Sequence, residues 1–350
     1  ENARGHSCEG CVPGTFFLEE RNPKGCTDCF CFGVTSQCHS SDFVKYTIMS
    51  MKNWTVDNAN VSIENQHYVE YVSPENSENN GKSNKALYFS APVVYLGKKL
   101  FSYGGKLSFT VSSTPADEKS GRSMAADVLL KGQNETLVYW ADELPPDPKE
   151  EFTVNVDLIP ERWRRNDGGF VTRPVLMQVL NKLEAILIRA SQFDRISKAK
   201  LSRVTLDSAS EEKNRVGEEA LNVEVCSCPA GYTGTSCEEC ADGYYRVQSQ
   251  TGAMFLGSCV PCKCNGHSDK CDKVTGVCHD CRHDTFGERC ETCAEGFYGN
   301  ATIGQPDDCR VCPCPHPTAQ NNFASSCIVN EIGELHSCSC KQGYTGRNCD

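Results

Sequence analysis

The 25 cysteines of this 350-residue chain lie only at its two ends, within residues 1–38 and 226–350, and the 187 residues from His39 to Val225 contain none. Cysteine at this density belongs in an oxidising, extracellular compartment, because cytosolic thiol buffers would keep such side chains reduced. The segregation predicts two disulfide-stapled arms flanking a domain large enough to stand on a hydrophobic core of its own. No leader opens the chain, and its longest aliphatic run, Ala185–Ile188, is far below the ~20 residues of a membrane span, so it reads as a mature, secreted piece with no membrane insertion. A net charge of −11 argues against nucleic acid or anionic lipid as a partner.

Within the arms the cysteines repeat. From Cys262 to Cys309 they fall as C-x-C-x6-C-x6-C-x2-C-x8-C-x2-C-x15-C, and a new unit starts two residues later at Cys312 and Cys314. Other landmarks keep phase with them. Gly231-Tyr232-Thr233-Gly234 before Cys237 is echoed by Gly343-Tyr344-Thr345-Gly346 before Cys349, and Gly14 with Phe16, Gly243 with Tyr244, and Gly296 with Phe297 follow equivalent cysteines. Such glycines suit positive-φ turns, and the aromatic rings can cover a disulfide.

With these marks the unit resembles the laminin-type EGF-like (LE) repeat. The resemblance implies that cysteines pair first with third, second with fourth, fifth with sixth and seventh with eighth. Cys262–Cys271, Cys264–Cys278, Cys281–Cys290 and Cys293–Cys309 are then the bonds of the complete repeat, and Cys312–Cys327, Cys314–Cys338 and Cys340–Cys349 those of the last one. Cys8, Cys11 and Cys26 resemble the sixth to eighth cysteines of a repeat that begins upstream, which implies Cys11–Cys26 and leaves Cys8 unpaired. Cys29, Cys31 and Cys38 resemble the first three cysteines of a repeat whose fourth is Cys226, implying Cys29–Cys38, Cys31–Cys226, Cys228–Cys237 and Cys240–Cys259. The cysteine-free segment is thus an insertion inside one repeat.

An insertion at that point resembles the laminin domain IV (L4) module of laminin alpha and gamma short arms and of perlecan, and Ile186–Phe193 and Lys200–Ser208 resemble a laminin alpha subunit. The implied domains are 1–28, the end of a truncated LE repeat; 29–38, the start of a split one; 39–225, the L4 domain; 226–261, the rest of the split repeat; 262–311, a complete repeat; and 312–350, a truncated one. The resemblance implies a non-enzymatic spacer of the basement membrane, partnered by laminin beta and gamma chains through regions outside this chain. A sandwich that binds a matrix glycan or receptor, or the equivalent region of perlecan, is the alternative.

The insert is legible without that resemblance. Leu107, Phe109 and Val111 alternate with Ser108, Thr110 and Ser112, and Phe152, Val154, Val156 and Leu158 alternate with Thr153, Asn155 and Asp157. Period two predicts half-buried strands. Further strands are expected over 44–49, 60–72, 85–90, 125–130, 136–140, 185–190 and 200–207, making a mainly β chain with an antiparallel, jelly-roll-like β-sandwich. One helix is predicted from Leu176, Val179, Leu180 and Leu183, with Thr172 as N-cap and Pro174 in its first turn. Each LE repeat is too small for a sufficient core and rests on disulfides of ~2–4 kcal/mol apiece. A Cys31–Cys226 bond brings both ends of the insert to nearly one point, and two-residue junctions such as Val260-Pro261 restrict neighbouring repeats, so a rod bearing a lateral bead is expected.

Chemistry-bearing motifs are sparse. There is no G-x-S-x-G and no H-E-x-x-H, so no catalytic residues are expected, and no cofactor. The C-x-C and C-x2-C pairs read as disulfides rather than zinc ligands, and Val260-Pro261 and Arg310-Val311 stand where calcium-binding EGF repeats carry acidic residues, so no metal is expected. The loop Asp142–Asp147 reads as a solvated acidic turn, and Arg162, Arg164 and Arg165 with Lys198 and Lys200 as a solvated basic surface rather than a sulfated-glycan site. Trp54, Trp140 and Trp163 are assigned to core or rim packing. No Arg-Gly-Asp occurs, and Cys271–Cys278 lacks the Asn-Ile-Asp-Pro-Asn-Ala-Val loop of nidogen-binding repeats. Asn53, Asn60, Asn134 and Asn300 open N-x-S/T sequons and are expected N-glycosylation sites.

Overall fold

Alternating apolar residues build the long strands of the insert, and two six-stranded antiparallel sheets result. The computed structural model describes all residues except 21, 57–61, 65, 66, 74–85, 143–146, 148, 213–215, 249–255, 331 and 333. The strands of the insert are β1 (Val44–Met49), β2 (Thr55–Val56), β3 (Ser62–Glu64), β4 (Tyr68–Val72), β5 (Tyr88–Ser90), β6 (Lys106–Pro115), β7 (Val128–Gly132), β8 (Glu135–Tyr139), β9 (Phe152–Asp157), β10 (Arg164–Arg165), β11 (Ala185–Arg189) and β12 (Ile196–Ser210). One sheet runs β10-β8-β7-β11-β5-β2 and the other β9-β6-β12-β4-β3, with β1 pairing the far half of β12. The segment expected as a single strand over 60–72 is instead the antiparallel pair β3–β4, with Ser62 opposite Tyr71.

Strand β12 is the spine of the second sheet, and it changes parity once. Ala199 and Leu201 are buried, and so are Val204 and Leu206. Strict alternation would have turned Arg203, Thr205 and Asp207 inward. The register against β6 slips between Ser108–Thr205 and Thr110–Ser202, and Arg203 there adopts φ 52°. This β-bulge absorbs one residue, so the apolar set returns to the core. Arg203 points away from it, donating to Thr110 Oγ1 at 3.1 Å and to Glu151 at 3.1 Å.

The first sheet is covered on both faces. Ile186, Leu187 and Ile188 are buried in succession, as are Leu137, Val138 and Tyr139, because helix α1 (Arg173–Asn181) packs on β7 while the other face meets the core. The helix rests so closely that a Cβ at Gly132 would lie 2.3 Å from the Lys182 carbonyl. Thr172 occupies the N-cap position without a side-chain cap bond, and Leu183, expected on the helical stripe, lies beyond the helix in a bridge with Gly97. Trp54 and Trp163 are fully buried with their indole N–H groups on the Ser50 and Asp157 carbonyls. Trp140 is half exposed, bonded to Met124 O.

By contact the chain divides into two units, Glu1–Cys31 with Thr35–Ser227, and Phe32–Val34 with Cys228–Asp350. The second unit is a series of two-stranded ribbons: Tyr244–Val247 with Ser258–Pro261, Phe297–Gly299 with Cys309–Val311, and Ala324–Val329 with Leu335–Cys340. Its disulfides are Cys228–Cys237, Cys240–Cys259, Cys262–Cys271, Cys264–Cys278, Cys281–Cys290, Cys293–Cys309, Cys312–Cys327, Cys314–Cys338 and Cys340–Cys349. The Cys262 N–H donates to Gly243 O and the Cys312 N–H to Gly296 O, both at 2.8 Å. These bonds prolong the ladders of the first two ribbons by one rung, and the two glycines adopt a positive φ of 80° and 87°.

Candidate functional site

The root of the sandwich, in the first unit, holds a buried ion pair beside two disulfides. The segment Cys38–Ser40 pairs antiparallel with Glu224–Cys226, so the chain enters and leaves the insert side by side. Cys31 bonds Cys226 with Cα atoms 5.9 Å apart, and Cys29–Cys38 and Cys11–Cys26 lie on the same stalk. Beside the ladder, Ala209, Ala220 and Val223 form a small apolar cluster with Phe43 and Phe101.

Glu224 is the centre of this root. Its side chain is 1% exposed and forms an ion pair with Arg173 at 3.0 Å. The carboxylate also accepts the backbone N–H groups of Phe30 at 2.8 Å and Cys31 at 3.1 Å. A buried carboxylate is tolerated only when so paired and bonded. Arg173, at the start of α1, completes the joint: it donates to the Asp28 carbonyl and lies 4.9 Å from the Tyr103 ring and 5.5 Å from the Phe16 ring. Phe16 and Asp28 belong to the stalk, Tyr103 and Arg173 to the sandwich. Burial pushes the Tyr103 hydroxyl above the ordinary tyrosine range, with Arg173 partly opposing.

Sequence reasoning missed this pair because Arg173 and Glu224 are 51 residues apart. A glutamate two positions before a bridged cysteine and an arginine next to Thr172 carry no local signal. A second buried pair, Arg189 with Asp127 at 2.5 Å, was equally invisible, as was the contact of buried His267 with His283 at 3.0 Å. His267 Nε2 lies 2.7 Å from the Ala301 carbonyl, which can only accept, so that nitrogen carries a proton and the ring ties loops of its ribbon together.

The other singled-out residues do not converge on a catalytic constellation among the described residues. Arg162 pairs with Asp142 at 2.7 Å, Arg165 with Glu135 at 3.2 Å, Lys198 with Glu70 at 2.8 Å and Lys200 with Glu151 at 2.8 Å; Arg164 lies 5.0 Å from the ring of exposed Phe170. Residues 143–146 of the acidic loop lie outside the described residues. Asn53, Asn134 and Asn300 are exposed, Asn134 at the tip of the β7–β8 hairpin, and Asn60 lies outside the described residues. In the Cys271–Cys278 loop Asp272 accepts the Val274 and Thr275 N–H groups, and the Thr275 bonds hold its carboxyl below the usual range. Cys8 has no disulfide partner and is exposed. An open depression of about 450 Å³ on the first unit is lined by Lys98, Lys99, Ser208, Ser210, Glu211 and Glu212. One cluster with metal-ligand spacing occurs among the described residues, Cys31, Cys38 and Glu224, but both sulfurs are in disulfides and offer no thiolate. No helix among the described residues is long and apolar enough to cross a membrane.

A β-sandwich held between adjacent strands of a disulfide-stapled stalk defines a modular structural protein, with its chemistry spent on a joint. Residues 88–224 match the family model Laminin B (Domain IV), residues 219–254 the laminin EGF domain and residues 262–309 the laminin/attractin EGF domain. The chain therefore carries a laminin domain IV followed by laminin-type EGF repeats. It is 37% identical over 357 residues to the basement membrane-specific heparan sulfate proteoglycan core protein of Mus musculus, covering 98% of this chain and 9% of that protein. It is 39% identical to laminin subunit alpha-3 of Homo sapiens (96% and 10%) and 38% identical to laminin subunit alpha-1 of Mus musculus (100% and 12%). The chain thus spans about a tenth of the length of the curated relatives it matches. Among solved structures, the L4b domain of human laminin alpha-2 aligns with TM-score 0.41 and 14% identity over 48% of this chain and 99% of that one.

Proposed function

We propose that the chain is a non-enzymatic structural module of the extracellular matrix: part of a laminin alpha short arm, secreted into the basement membrane, spacing and presenting its L4 domain. The observation that carries this reading is the root, where a disulfide, a two-strand ladder and a buried ion pair bind sandwich to stalk. On this reading Cys29–Cys38 opens one LE repeat that resumes at Cys226, and the domain boundaries are 1–28, 29–38, 39–225, 226–261, 262–311 and 312–350. Laminin beta and gamma chains are the partners, engaged through regions outside the chain. Asn53, Asn60, Asn134 and Asn300 carry glycans, which peptide mapping of the secreted protein tests directly. Within the alpha subunits we assign alpha-two, on the wording of Ile186–Phe193 and Lys200–Ser208; flanking sequence that leads into immunoglobulin repeats instead of a long coiled coil would transfer the module to a perlecan.

The decisive experiment places Cys226→Ser in the full-length subunit and follows secretion, trimer formation and matrix incorporation separately. Normal secretion of a trimer that incorporates poorly into matrix supports the structural role. Unimpaired incorporation, together with saturable binding of the chain to one glycan class on an array, would overturn it in favour of a carbohydrate-binding module.

A further inference from the structure

Two separate disulfides meet at the root beside one carboxylate. The Sγ atoms of Cys31 and Cys38 and a carboxylate oxygen of Glu224 all lie within 4.8 Å of one another, yet Cys31 is bonded to Cys226 and Cys38 to Cys29. Cys31 and Cys226 are buried, whereas Cys38 is half-buried. We propose that Glu224 is an electrostatic guard that protects this adjacent pair of disulfides from exchange with small thiols.

The placement of the sulfurs makes exchange a hazard. An external thiolate that attacks Cys226 Sγ forms a mixed disulfide there and displaces the Cys31 thiolate. That thiolate stands next to Cys38, can attack it, form Cys31–Cys38 and displace the Cys29 thiolate. The net change consumes one thiol, now bound to Cys226, and leaves Cys29 reduced with the sandwich no longer bridged to its stalk. The first attack releases the Cys31 thiolate within 4.8 Å of the Glu224 carboxylate, and the second passes that charge on to Cys29. Like charge at this range in a partly desolvated site disfavours formation of the Cys31 thiolate and the approach of an anionic thiol, and the backbone N–H groups of Phe30 and Cys31 keep the carboxylate in place.

The test uses the whole chain with three small thiols of different charge: cysteamine, mercaptoethanol and mercaptoethanesulfonate. Each is added without denaturant, the reaction is quenched by alkylation, and the loss of Cys29–Cys38 and Cys31–Cys226 is followed by peptide mapping, with Cys281–Cys290 as internal reference. The native chain should favour the cationic over the anionic thiol at the root by about three- to tenfold relative to the reference bond, the range expected of one charge in a wet site. Glu224→Gln should collapse that ratio toward one. Arg173→Gln, which breaks the same ion pair but keeps the carboxylate, should retain or widen it. Loosening of the joint alone would accelerate all three thiols equally in both variants. A ratio unchanged by Glu224→Gln, or one that falls in Arg173→Gln, overturns the guard; if Glu224→Gln does not fold, the Arg173→Gln ratio decides.

Discussion

Arg173 carries more of the joint than any other single side chain, since it meets a buried carboxylate, a stalk carbonyl and two aromatic rings. Replacing it with alanine leaves Glu224 buried and without its counter-charge, a loss that typically costs about 3–5 kcal/mol. Chemical denaturation should show that loss as a lower midpoint for the sandwich transition, whereas Arg164→Ala, at an exposed ring, should move it by less than about 1 kcal/mol. Burial also raises the hydroxyls of Tyr88, Tyr95, Tyr103 and Tyr139 above the ordinary tyrosine range. A raised folded value means that the unfolded chain releases the proton first. Stability is therefore intact below the unfolded value and is lost as pH climbs from there through the folded ones. A spectrophotometric titration with parallel near-ultraviolet circular dichroism should find these four ionising late and together with loss of tertiary structure. Early ionisation with the fold intact would contradict their burial.

At the scale of elements, the β12 bulge decides which residues of the spine face the core. Deleting Arg203 removes the extra residue, so either Val204 and Leu206 turn outward or the register against β6 slips along its length. The deletion should abolish cooperative unfolding, while Arg203→Gly, which suits the positive φ, should preserve it. The bulge had a trace in the sequence: the buried positions 199, 201, 204 and 206 break period two by one residue. Read as a simple strand over 200–207, that trace is lost, because a three-residue spacing of apolar side chains has no unique meaning until a partner strand shows which face is covered. A different regularity links the ribbons. Cys8, Cys237, Cys290 and Cys349 all have φ between 53° and 59°. After the first three, an acidic side chain accepts the N–H two residues back, as Glu9 does from Ser7, Glu238 from Ser236 and Glu291 from Arg289. The same local sequence thus folds the same tight turn whether or not the cysteine is bridged.

At the scale of the whole molecule, stability has two sources. The strands of the insert bury Leu107, Phe109, Val111, Val156, Leu201 and Leu206 against one another, whereas the buried clusters of the ribbons are made largely of cystine, such as Cys264, Cys278 and Cys290. Disulfides contribute most where the core is small. Full reduction should therefore remove hydrogen-exchange protection from 228–350 while β6, β11 and β12 remain protected. Simultaneous loss in both units would show that the sandwich depends on its disulfide at the root.

Cysteine segregation and apolar alternation by themselves determined the class of this molecule: a mainly β chain, with a sandwich between cysteine-rich arms, and most of its long strands. Those properties are written in neighbouring residues, because a strand's faces follow from period two and a small repeat lacks the apolar content for a core. Only the tertiary structure decided that β3 and β4 form a hairpin, that Leu183 leaves the helix, that Arg203 is a bulge, and that Arg173 reaches Glu224 beside two disulfides. Each depends on partners brought together from distant positions, and the energy of a buried charge is set by those partners rather than by the residues next to it in the chain.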